Sequence, residues 1–271
     1  MSLRFGKNRL SVDRQDPPWK VVRAFHAAGG STLVHLHNVS GGVLAGDRLA
    51  LDVEIEAGVA AQITTTGATR LYRHRAGAGD SEQRTTISVG PGALLEYLPD
   101  PVIPYAGSRH VQRTDIRLDK GASLFWWEIL APGRQAAGER FAFERLRVET
   151  TVRADGRPVV KESFLLEPRE KPLPSMARMH QYSYLANFYA CQQGQPAGFW
   201  RALEDKLNEV AKQRTCPGET LWGASTLTSD GAIVRGLSAT GRSIQAALLE
   251  FWSVARPAMT GAEAVPPRKT Y

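Results

Sequence analysis

The chain has 271 residues, of which 42% are hydrophobic, and its 34 Lys and Arg exceed its 27 Asp and Glu to give a formal net charge of +7. The basic residues are scattered, which disfavours a nucleic-acid-binding tail, and no apolar run approaches the ~18 residues of a membrane span. The N-terminus carries no secretory signal and Cys191 and Cys216 form no close pair, so the composition predicts a cytoplasmic globular protein without a zinc or redox dithiol site.

The first two thirds of the chain are predicted to form β-strands. In LDVEIEA, residues 51–57, apolar and acidic residues alternate strictly, so Leu51, Val53 and Ile55 share one face of a strand. Comparable runs are WKVVRAF (19–25), STLVHLH (31–37), VAAQITTT (59–66), RTTISV (84–89), VQRTDIRL (111–118) and ASLFWWEIL (122–130). Regular short spacing of this kind favours a large antiparallel or coiled β-structure over alternating strands and helices.

A β-hairpin is predicted over residues 141–166, where residues 154–156 supply an Ala-Asp-Gly turn that tolerates positive φ. The apolar register shifts by one residue before Leu146. We therefore expect a β-bulge near Glu144 and Arg145.

Helical periodicity is found in the last third of the chain. Apolar residues recur at helical intervals in GFWRALEDKLNEVAK, residues 198–212, and a second helix is predicted from residue 241 to a stop before Pro257. Between these helices, residues 225–238 predict a second hairpin that turns at Asp230 and Gly231. The tail, about residues 260–271, is rich in Gly and Pro and is expected to be disordered or to lie on the surface.

These elements predict a mainly β fold. We expect one large domain over residues 1–271, built from many mostly antiparallel strands in a coiled or sandwich-like arrangement, with two or so α-helices in the C-terminal half.

Motifs of catalysis are sparse. The glycine-rich stretch SGGVLAGDRL, residues 40–49, lacks the Lys-Ser or Lys-Thr pair of a P-loop, so we interpret it as a turn whose glycines adopt conformations closed to other residues. No serine lies in a GxSxG motif. His35 and His37 share one face of a predicted strand and could hold a metal ion, although most such pairs are structural. Glu128 and Glu139 are the paired acids that a β-rich hydrolase would need, and this hydrolase is one alternative function.

An arginine cluster surrounds Tyr72 in TTTGATRLYRHR, residues 64–75. An RNA-binding module that uses Arg70, Tyr72 and Arg73 is a second alternative, since such residues stack on bases. Arginine and tyrosine are also enriched at protein interfaces, and the modest net charge favours a protein interface here.

Prolines interrupt LLEYLPDPVIPYAGSRH, residues 94–110. Pro99, Pro101 and Pro104 remove three hydrogen-bond donors of a sheet, so residues 97–105 are not expected to form an ordinary central strand. We predict a rigid, extended corner at this point.

Four blocks occur in a fixed order along the chain: HNVSGGVLAGDRL (37–49), TTTGATRLYR (64–73), LLEYLPDPVIPYAGSRH (94–110) and WEILAPGRQAAGERF (127–141). In this order and at this spacing they resemble the urease accessory proteins of the UreD type, also called UreH, and the C-terminal VRGLSATGRSIQAALLEFWSVARP is similar to the ending of that family. The resemblance covers nearly the full length. The chain departs from the family pattern at Val39-Ser40, where a proline commonly precedes the glycine pair, and at residues 269–271, where an aromatic commonly follows Pro-Arg.

The resemblance implies a largely β scaffold that is not an enzyme and that binds urease apoprotein and the accessory proteins UreF and UreG. Such a complex delivers nickel to the urease active site while UreG hydrolyses GTP, which agrees with the absence of a P-loop from this sequence. The resemblance implies no tightly bound cofactor, only nickel in transit, and neither a nucleic-acid nor a membrane partner.

A scaffold that passes Ni²⁺ onward needs weak, exchangeable oxygen ligands. The resemblance implies a water-filled internal passage, and the acids within the matching blocks are the candidates for lining it: Asp47, Glu96, Asp100, Glu128 and Glu139. For each acid, an ion pair with a nearby arginine is the structural alternative. The candidates for partner binding are Arg70, Tyr72, Arg73, Tyr105 and Arg109.

Overall fold

The structure of the protein is a computed structural model, which describes residues 1–7, 9–27 and 30–267. These residues form 18 β-strands, two α-helices and one short 3-10 helix. The strands are β1 Ser2–Gly6, β2 Arg9–Arg14, β3 Trp19–Lys20, β4 Ala24–His26, β5 Thr32–Asn38, β6 Arg48–Ile55, β7 Ala60–Thr65, β8 Thr69–Leu71, β9 Ser81–Val89, β10 Leu94–Leu98, β11 Val102–Pro104, β12 Arg109–Leu118, β13 Ser123–Leu130, β14 Arg145–Ala154, β15 Arg157–Leu166, β16 Tyr184–Gln192, β17 Thr220–Thr226 and β18 Gly231–Ser238. The 3-10 helix is Gln135–Ala137, and the α-helices are α1 Ala197–Arg214 and α2 Gly241–Thr260.

The strands form two sheets. The first sheet has the order β15-β14-β12-β9-β6-β1-β2, and the main path of the second is β17-β18-β16-β13-β10-β7-β5-β3. From β5 to β14 the chain passes back and forth between the two sheets, and β8 and β11 lie beside this path. The result is a flattened coil of two facing sheets, with both helices packed on the second sheet.

The fold class is confirmed as mainly β with two helices, but the expected antiparallel pairing holds only toward the ends of the sheets. The central pairs β6–β9, β9–β12 and β12–β14 are parallel, as are β5–β7, β7–β10 and β10–β13. Parallel pairing follows from the coil, because each turn brings the chain back to the same sheet in the same direction.

Two apolar clusters fill the protein. One lies between the sheets and the other between the second sheet and the helices. Strand β6 therefore alternates between exposed and buried residues, since one face of the first sheet meets solvent, whereas β13 in the second sheet is apolar on both faces. Trp126 of β13 lies in the first cluster and Trp127 in the second.

The predicted strand over residues 19–25 is divided into β3 and β4. The proline-rich block is divided in the same way: it contributes β10, then a break at residues 99–101, then β11. Pro99 lies in this break, and its carbonyl oxygen accepts a hydrogen bond from Trp127 Nε1 at 2.8 Å. The extended corner thus ends one parallel strand of the second sheet and starts another.

Both predicted hairpins form. Strands β14 and β15 are joined by Asp155 and Gly156, which have φ of 49° and 73°, and β17 and β18 pair in the same way. The β-bulge, however, lies between Val152 and Arg153. The expected position near Glu144 and Arg145 was wrong because β14 begins only at Arg145, so the apparent register shift marks the strand start.

Helix α1 is confirmed. The prediction that α2 stops before Pro257 was wrong, because α2 continues one further turn to Thr260. At the other end Thr240 Oγ1 accepts a hydrogen bond from Ser243 N at 3.3 Å, and Gly261, with φ of 72°, ends the helix. The buried side chains of Arg256 and Met259 on both sides of the proline offset the loss of one helical hydrogen bond.

The described part of the tail contacts the second sheet. Arg256 Nη1 donates to the carbonyl oxygens of Ala262 and Glu263, and Gln62 Nε2 donates to the carbonyl oxygen of Val265 at 3.1 Å. The last part of the expected disordered segment, residues 268–271, lies outside the described residues. Neither helix has the length and apolar character that crossing a bilayer requires, as far as the described residues extend.

Candidate functional site

A cavity of about 60 Å³ lies between the two sheets, and its mainly apolar lining includes a set of polar side chains. Its size gives room for roughly four to six water molecules. Inward-facing residues of both sheets supply the polar part of its lining, which consists of Thr65, Thr69, Gln83, Thr85, Asp100, Gln112, Thr114, Glu128 and Asn187. Parallel register brings Gln83 opposite Gln112 and Thr85 opposite Thr114 in the first sheet. Successive turns of the coil, through β9 and β12, thus place identical polar side chains next to each other.

Glu128 reaches the cavity from β13. Its Oε1 accepts a hydrogen bond from Gln112 Nε2 at 3.1 Å, across the gap between the sheets. Burial and the nearby Glu162 raise the pKa of Glu128 to about 8, against the opposing effect of Gln112. At neutral pH the carboxyl group is therefore mostly protonated and loses its proton just above that range.

Asp100 lies at the proline-rich corner on the same cavity. Asp100 Oδ2 accepts a hydrogen bond from Thr65 Oγ1 at 2.8 Å. The backbone N of Asp100 in turn donates to Thr65 Oγ1 at 2.8 Å. This reciprocal pair fixes the side chain at the start of the break that the prolines create. Two of the five candidate acids, Asp100 and Glu128, thus line one cavity.

The cavity adjoins a surface pocket on one side and a groove on the other. Trp19, Thr65 and Thr69 also line a surface pocket of about 120 Å³ beside the glycine-rich turn. Leu185 also lines a groove of about 550 Å³ on the far side of the fold. The cavity therefore shares wall residues with a pocket on one surface and with a groove on another.

Glu96 lies on the opposite face of the second sheet, under α2. Its Oε1 accepts from Arg256 Nε at 2.8 Å and from Trp252 Nε1 at 3.0 Å, and its Oε2 accepts from Gln62 Nε2 at 3.1 Å. The Glu96 and Arg256 side chains are 2% and 4% exposed. Burial raises the pKa of Glu96, while Arg256 opposes that shift. This ion pair anchors α2 and the tail to the sheet and does not line the cavity.

The two remaining acids hold loops. Asp47 Oδ2 accepts a hydrogen bond from Leu44 N at 2.8 Å in the turn before β6. Glu139 accepts from Ala106 N at 3.1 Å and from the side chain of Arg134, and the bond from Arg134 holds the pKa of Glu139 below its usual range. Because Glu128 and Glu139 have separate partners, the geometry gives no support to the hydrolase alternative, which needs two acids acting on one bond.

The residues predicted to bind partners gather at the end of the fold where β8, β11 and β12 meet. The Tyr72 and Tyr105 rings contact edge to face at 5.2 Å, and the Arg134 guanidinium lies 4.5 Å from the centre of the Tyr105 ring. Arg70 and Arg73 are exposed beside them. We call Arg70, Tyr72, Arg73, Tyr105 and Arg134 the arginine–tyrosine patch. The remaining candidate, Arg109, pairs with Glu144 at 2.5 Å instead.

The glycine-rich turn supports this patch. Gly41 and Gly46 have φ of 78° and 81°, a left-handed backbone conformation that residues with a side chain rarely adopt. Gly42 is needed for a different reason, because a Cβ at this position would lie 2.5 Å from Tyr72 Cε2 and 2.6 Å from the Arg70 carbonyl oxygen. The turn thus packs directly under the aromatic ring.

Some residues at these sites were not identified from the sequence. Arg256 is four residues after Trp252 on α2, so helical spacing could have placed it on the buried face of that helix, but not beside Glu96. Ser81 Oγ lies 2.9 Å from His110 Nδ1, and burial lowers the pKa of that histidine to about 4. Both residues are enclosed, with 2% and 1% exposure, so this Ser–His pair offers no access to a substrate.

No cluster of three or more His, Cys, Asp or Glu suited to a metal ion is found over residues 1–7, 9–27 and 30–267. The donors in the cavity are instead carboxylate, amide and hydroxyl oxygens. Such ligands suit a hydrated divalent cation that is held weakly, and they do not suit a closed imidazole or thiolate cage.

Comparison with known proteins gives one consistent result. The family model described as UreD urease accessory protein matches residues 1–271. A urease accessory protein UreD of Herpetosiphon aurantiacus is 42% identical over 270 residues, which cover 100% of this chain and 94% of that protein. Proteins of the same description from Opitutus terrae and Pseudomonas aeruginosa are 34% and 32% identical over 254 and 256 residues. The matches cover 91% and 94% of this chain and 90% and 86% of those proteins.

Proposed function

Because the chain belongs to the UreD urease accessory protein family, we propose that it is a non-enzymatic scaffold for nickel delivery to urease. In this proposal it binds urease apoprotein together with UreF and the GTPase UreG, and nickel passes through it as cargo. The observation that carries the proposal is the cavity between the sheets, with Asp100 and Glu128 in its lining.

The ligand chemistry of the cavity fits transfer better than storage. Carboxylate and amide oxygens and water exchange faster on a divalent cation than thiolates or imidazoles that enclose it. The cavity has room for several waters, so a cation can keep part of its hydration shell while it contacts Asp100 or Glu128. In this proposal the affinity of these oxygen ligands for Ni²⁺ is high enough for the ion to enter the cavity and low enough for it to leave.

Glu128 adds a requirement for proton exchange. Its pKa of about 8 means that a cation arriving at neutral pH must displace the carboxyl proton. Gln112 holds the side chain in place in either state, because its amide Nε2 donates to Oε1. This chain would therefore release a proton whenever an ion binds at that position.

The arginine–tyrosine patch is proposed as one contact surface for the partner proteins. Its exposed arginines and partly buried tyrosines are the residue types that contribute most to protein interfaces. Carboxylates lie among them, with Glu139 on Arg134 and Glu144 on nearby Arg109, and these would repel nucleic-acid phosphates. The patch therefore favours a protein partner over RNA.

Co-expression with the urease subunits, UreF and UreG tests the proposal. We expect this chain to co-purify with its partners, and we expect urease made without it to assemble but to contain little nickel. Turnover of a substrate by the isolated chain, or urease that is fully loaded with nickel in its absence, would contradict the proposed function.

A further inference from the structure

The second sheet extends beyond the first by strands β17 and β18. In the described residues the first sheet ends at β15, whose Glu162 accepts a hydrogen bond from Tyr189 of β16 at 2.9 Å and a bond from Arg235 of β18. Beyond this contact, the face of β17 and β18 that points away from the helices forms a groove of about 550 Å³.

The floor of this groove is apolar. Leu185, Leu237 and Leu221 are register partners on β16, β18 and β17, so they form one row across the three strands. Ile233 adds a further apolar side chain, and Leu221 at the outer end of the row is 48% exposed. A continuous apolar row of this kind on an open face is typical of a surface that binds another molecule.

The charged residues of the groove are cationic. Its lining within the described residues contains two charged side chains, Arg178 and Arg235. Arg178 donates to the Pro172 carbonyl oxygen at 3.0 Å and forms no ion pair with any described residue. Arg235 is 61% exposed beyond its contact with Glu162. An occupant that complements this groove therefore combines apolar side chains with carboxylates.

The free edge of β17 is closed to strand addition. Thr215 Oγ1 accepts a hydrogen bond from Trp222 N at 3.0 Å, and Asn208 Oδ1 accepts from Ala224 N at 3.0 Å. Asn208 Nδ2 also donates to the Ala224 carbonyl oxygen at 3.2 Å. Since these side chains occupy the backbone groups that an added strand would use, an occupant must lie on the floor of the groove.

We propose that this groove docks an amphipathic helix of a partner protein, with its apolar stripe on the leucine row and its carboxylates on Arg178 and Arg235. This inference rests on the proposed function, because the partner is taken to be a member of the urease assembly complex. Leu185 lines both the groove and the central cavity, so the docked helix would lie directly against the cavity wall.

Two variants of this chain test the groove. Leu221→Asp places a charge on the apolar row at an already exposed position, and Arg178→Glu reverses the charge at the rim. Leu249→Asp is the matched control, because Leu249 is 38% exposed on α2. Calorimetric titration with UreF and with urease apoprotein should show that each groove variant weakens binding of one partner by about tenfold or more. The control should stay within about twofold of the unmodified chain, and circular dichroism should show the same fold for all three variants.

A photo-crosslinking amino acid in place of Leu221 identifies the occupant. The expected product joins position 221 to a helical partner segment that carries carboxylates beside apolar residues, and Lys at such a carboxylate should restore binding to Arg178→Glu. Cross-linking to an extended segment, or to a second copy of this chain, would overturn the docking proposal.

The outcomes separate the two proposals. If the unmodified chain binds the partners and both groove variants bind equally well, the groove assignment is wrong while the scaffold function stands. If the unmodified chain binds neither UreF nor urease apoprotein nor UreG, the proposed function fails and the groove proposal fails with it.

Discussion

Gln112 donates a hydrogen bond to Glu128 across the gap between the two sheets, at 3.1 Å from Nε2 to Oε1. This bond joins β12 of the first sheet to β13 of the second at the level of the central cavity. A polar side chain facing its neighbour across a β-sandwich interior is unusual, because facing positions in such interiors are normally apolar. The pair is thus the feature on which the strongest predictions depend.

The first prediction concerns nickel delivery. Glu128→Gln keeps the shape of the side chain and removes the carboxyl group that can lose a proton to bind a cation, so we expect the nickel content of co-expressed urease to fall by about tenfold. Glu54→Gln, on the solvent face of the first sheet, is the matched control and should leave nickel content unchanged. Metal analysis of purified urease measures both. Equal nickel loading with the two variants would contradict a role for Glu128 in transfer.

The second prediction concerns the pH dependence of stability. The pKa of Glu128 is about 8 in the folded protein and close to 4.5 in the unfolded chain, so folding favours the protonated form. Between these values the folded state binds more protons than the unfolded state, and this group therefore makes the free energy of unfolding decrease as the pH rises. The contribution is fully present below about pH 4.5 and is lost by about pH 8. Urea unfolding at several pH values should show a flatter profile for Glu128→Gln than for the unmodified chain, and parallel profiles would refute the assigned pKa.

The third prediction concerns the buried ion pair under α2. Arg256→Met leaves the Glu96 carboxylate buried without its cation, which should lower the free energy of unfolding by about 3–5 kcal/mol. The double variant Glu96→Leu with Arg256→Met removes both charges and should recover most of that loss. Urea unfolding of the two single variants and the double variant gives the coupling free energy. Additive losses would show that the two side chains act independently.

The fourth prediction concerns the arginine–tyrosine patch. Arg73→Glu reverses an exposed charge beside Tyr72 and should weaken the binding of urease apoprotein or UreF by about tenfold. Arg117→Glu on the outer face of the first sheet makes the same change at a side chain that is 67% exposed, and it should have no effect. Surface plasmon resonance with each partner distinguishes the variants. Equal weakening by both would indicate an effect of net charge alone.

The sequence was sufficient to place most strands, both helices and the hairpin turns. It could not distinguish parallel from antiparallel pairing, because an alternating strand such as β6 has the same pattern in either case when one face meets solvent. Direction depends on which sheet each segment returns to, and that is a property of the whole coil. The bulge and the end of α2 were misplaced for local reasons, a strand start at Arg145 and a proline tolerated inside a helix.

The candidate acids show the same limit. The resemblance made all five acids candidates for lining one internal passage, yet only Asp100 and Glu128 line the cavity. On β10, Leu95 faces the space between the sheets and Glu96 faces the helices, as adjacent residues of a strand must. The partner of Glu96, Arg256, is 160 residues away along the chain. No local pattern could supply that contact.

The side chains that close the edge of β17 have a consequence for the behaviour of the free protein. An exposed strand edge is a template for aggregation, and here it lies next to an open apolar face. Asn208 of α1 and Thr215, the residue that follows α1, cover this edge, so the apolar face stays open while self-pairing of the edge is blocked. We expect Asn208→Ala to cause concentration-dependent aggregation, visible by light scattering, before it causes any large loss of thermal stability. Helix α1 therefore both packs on the second sheet and, through Asn208, protects the outer edge of that sheet from pairing with another chain.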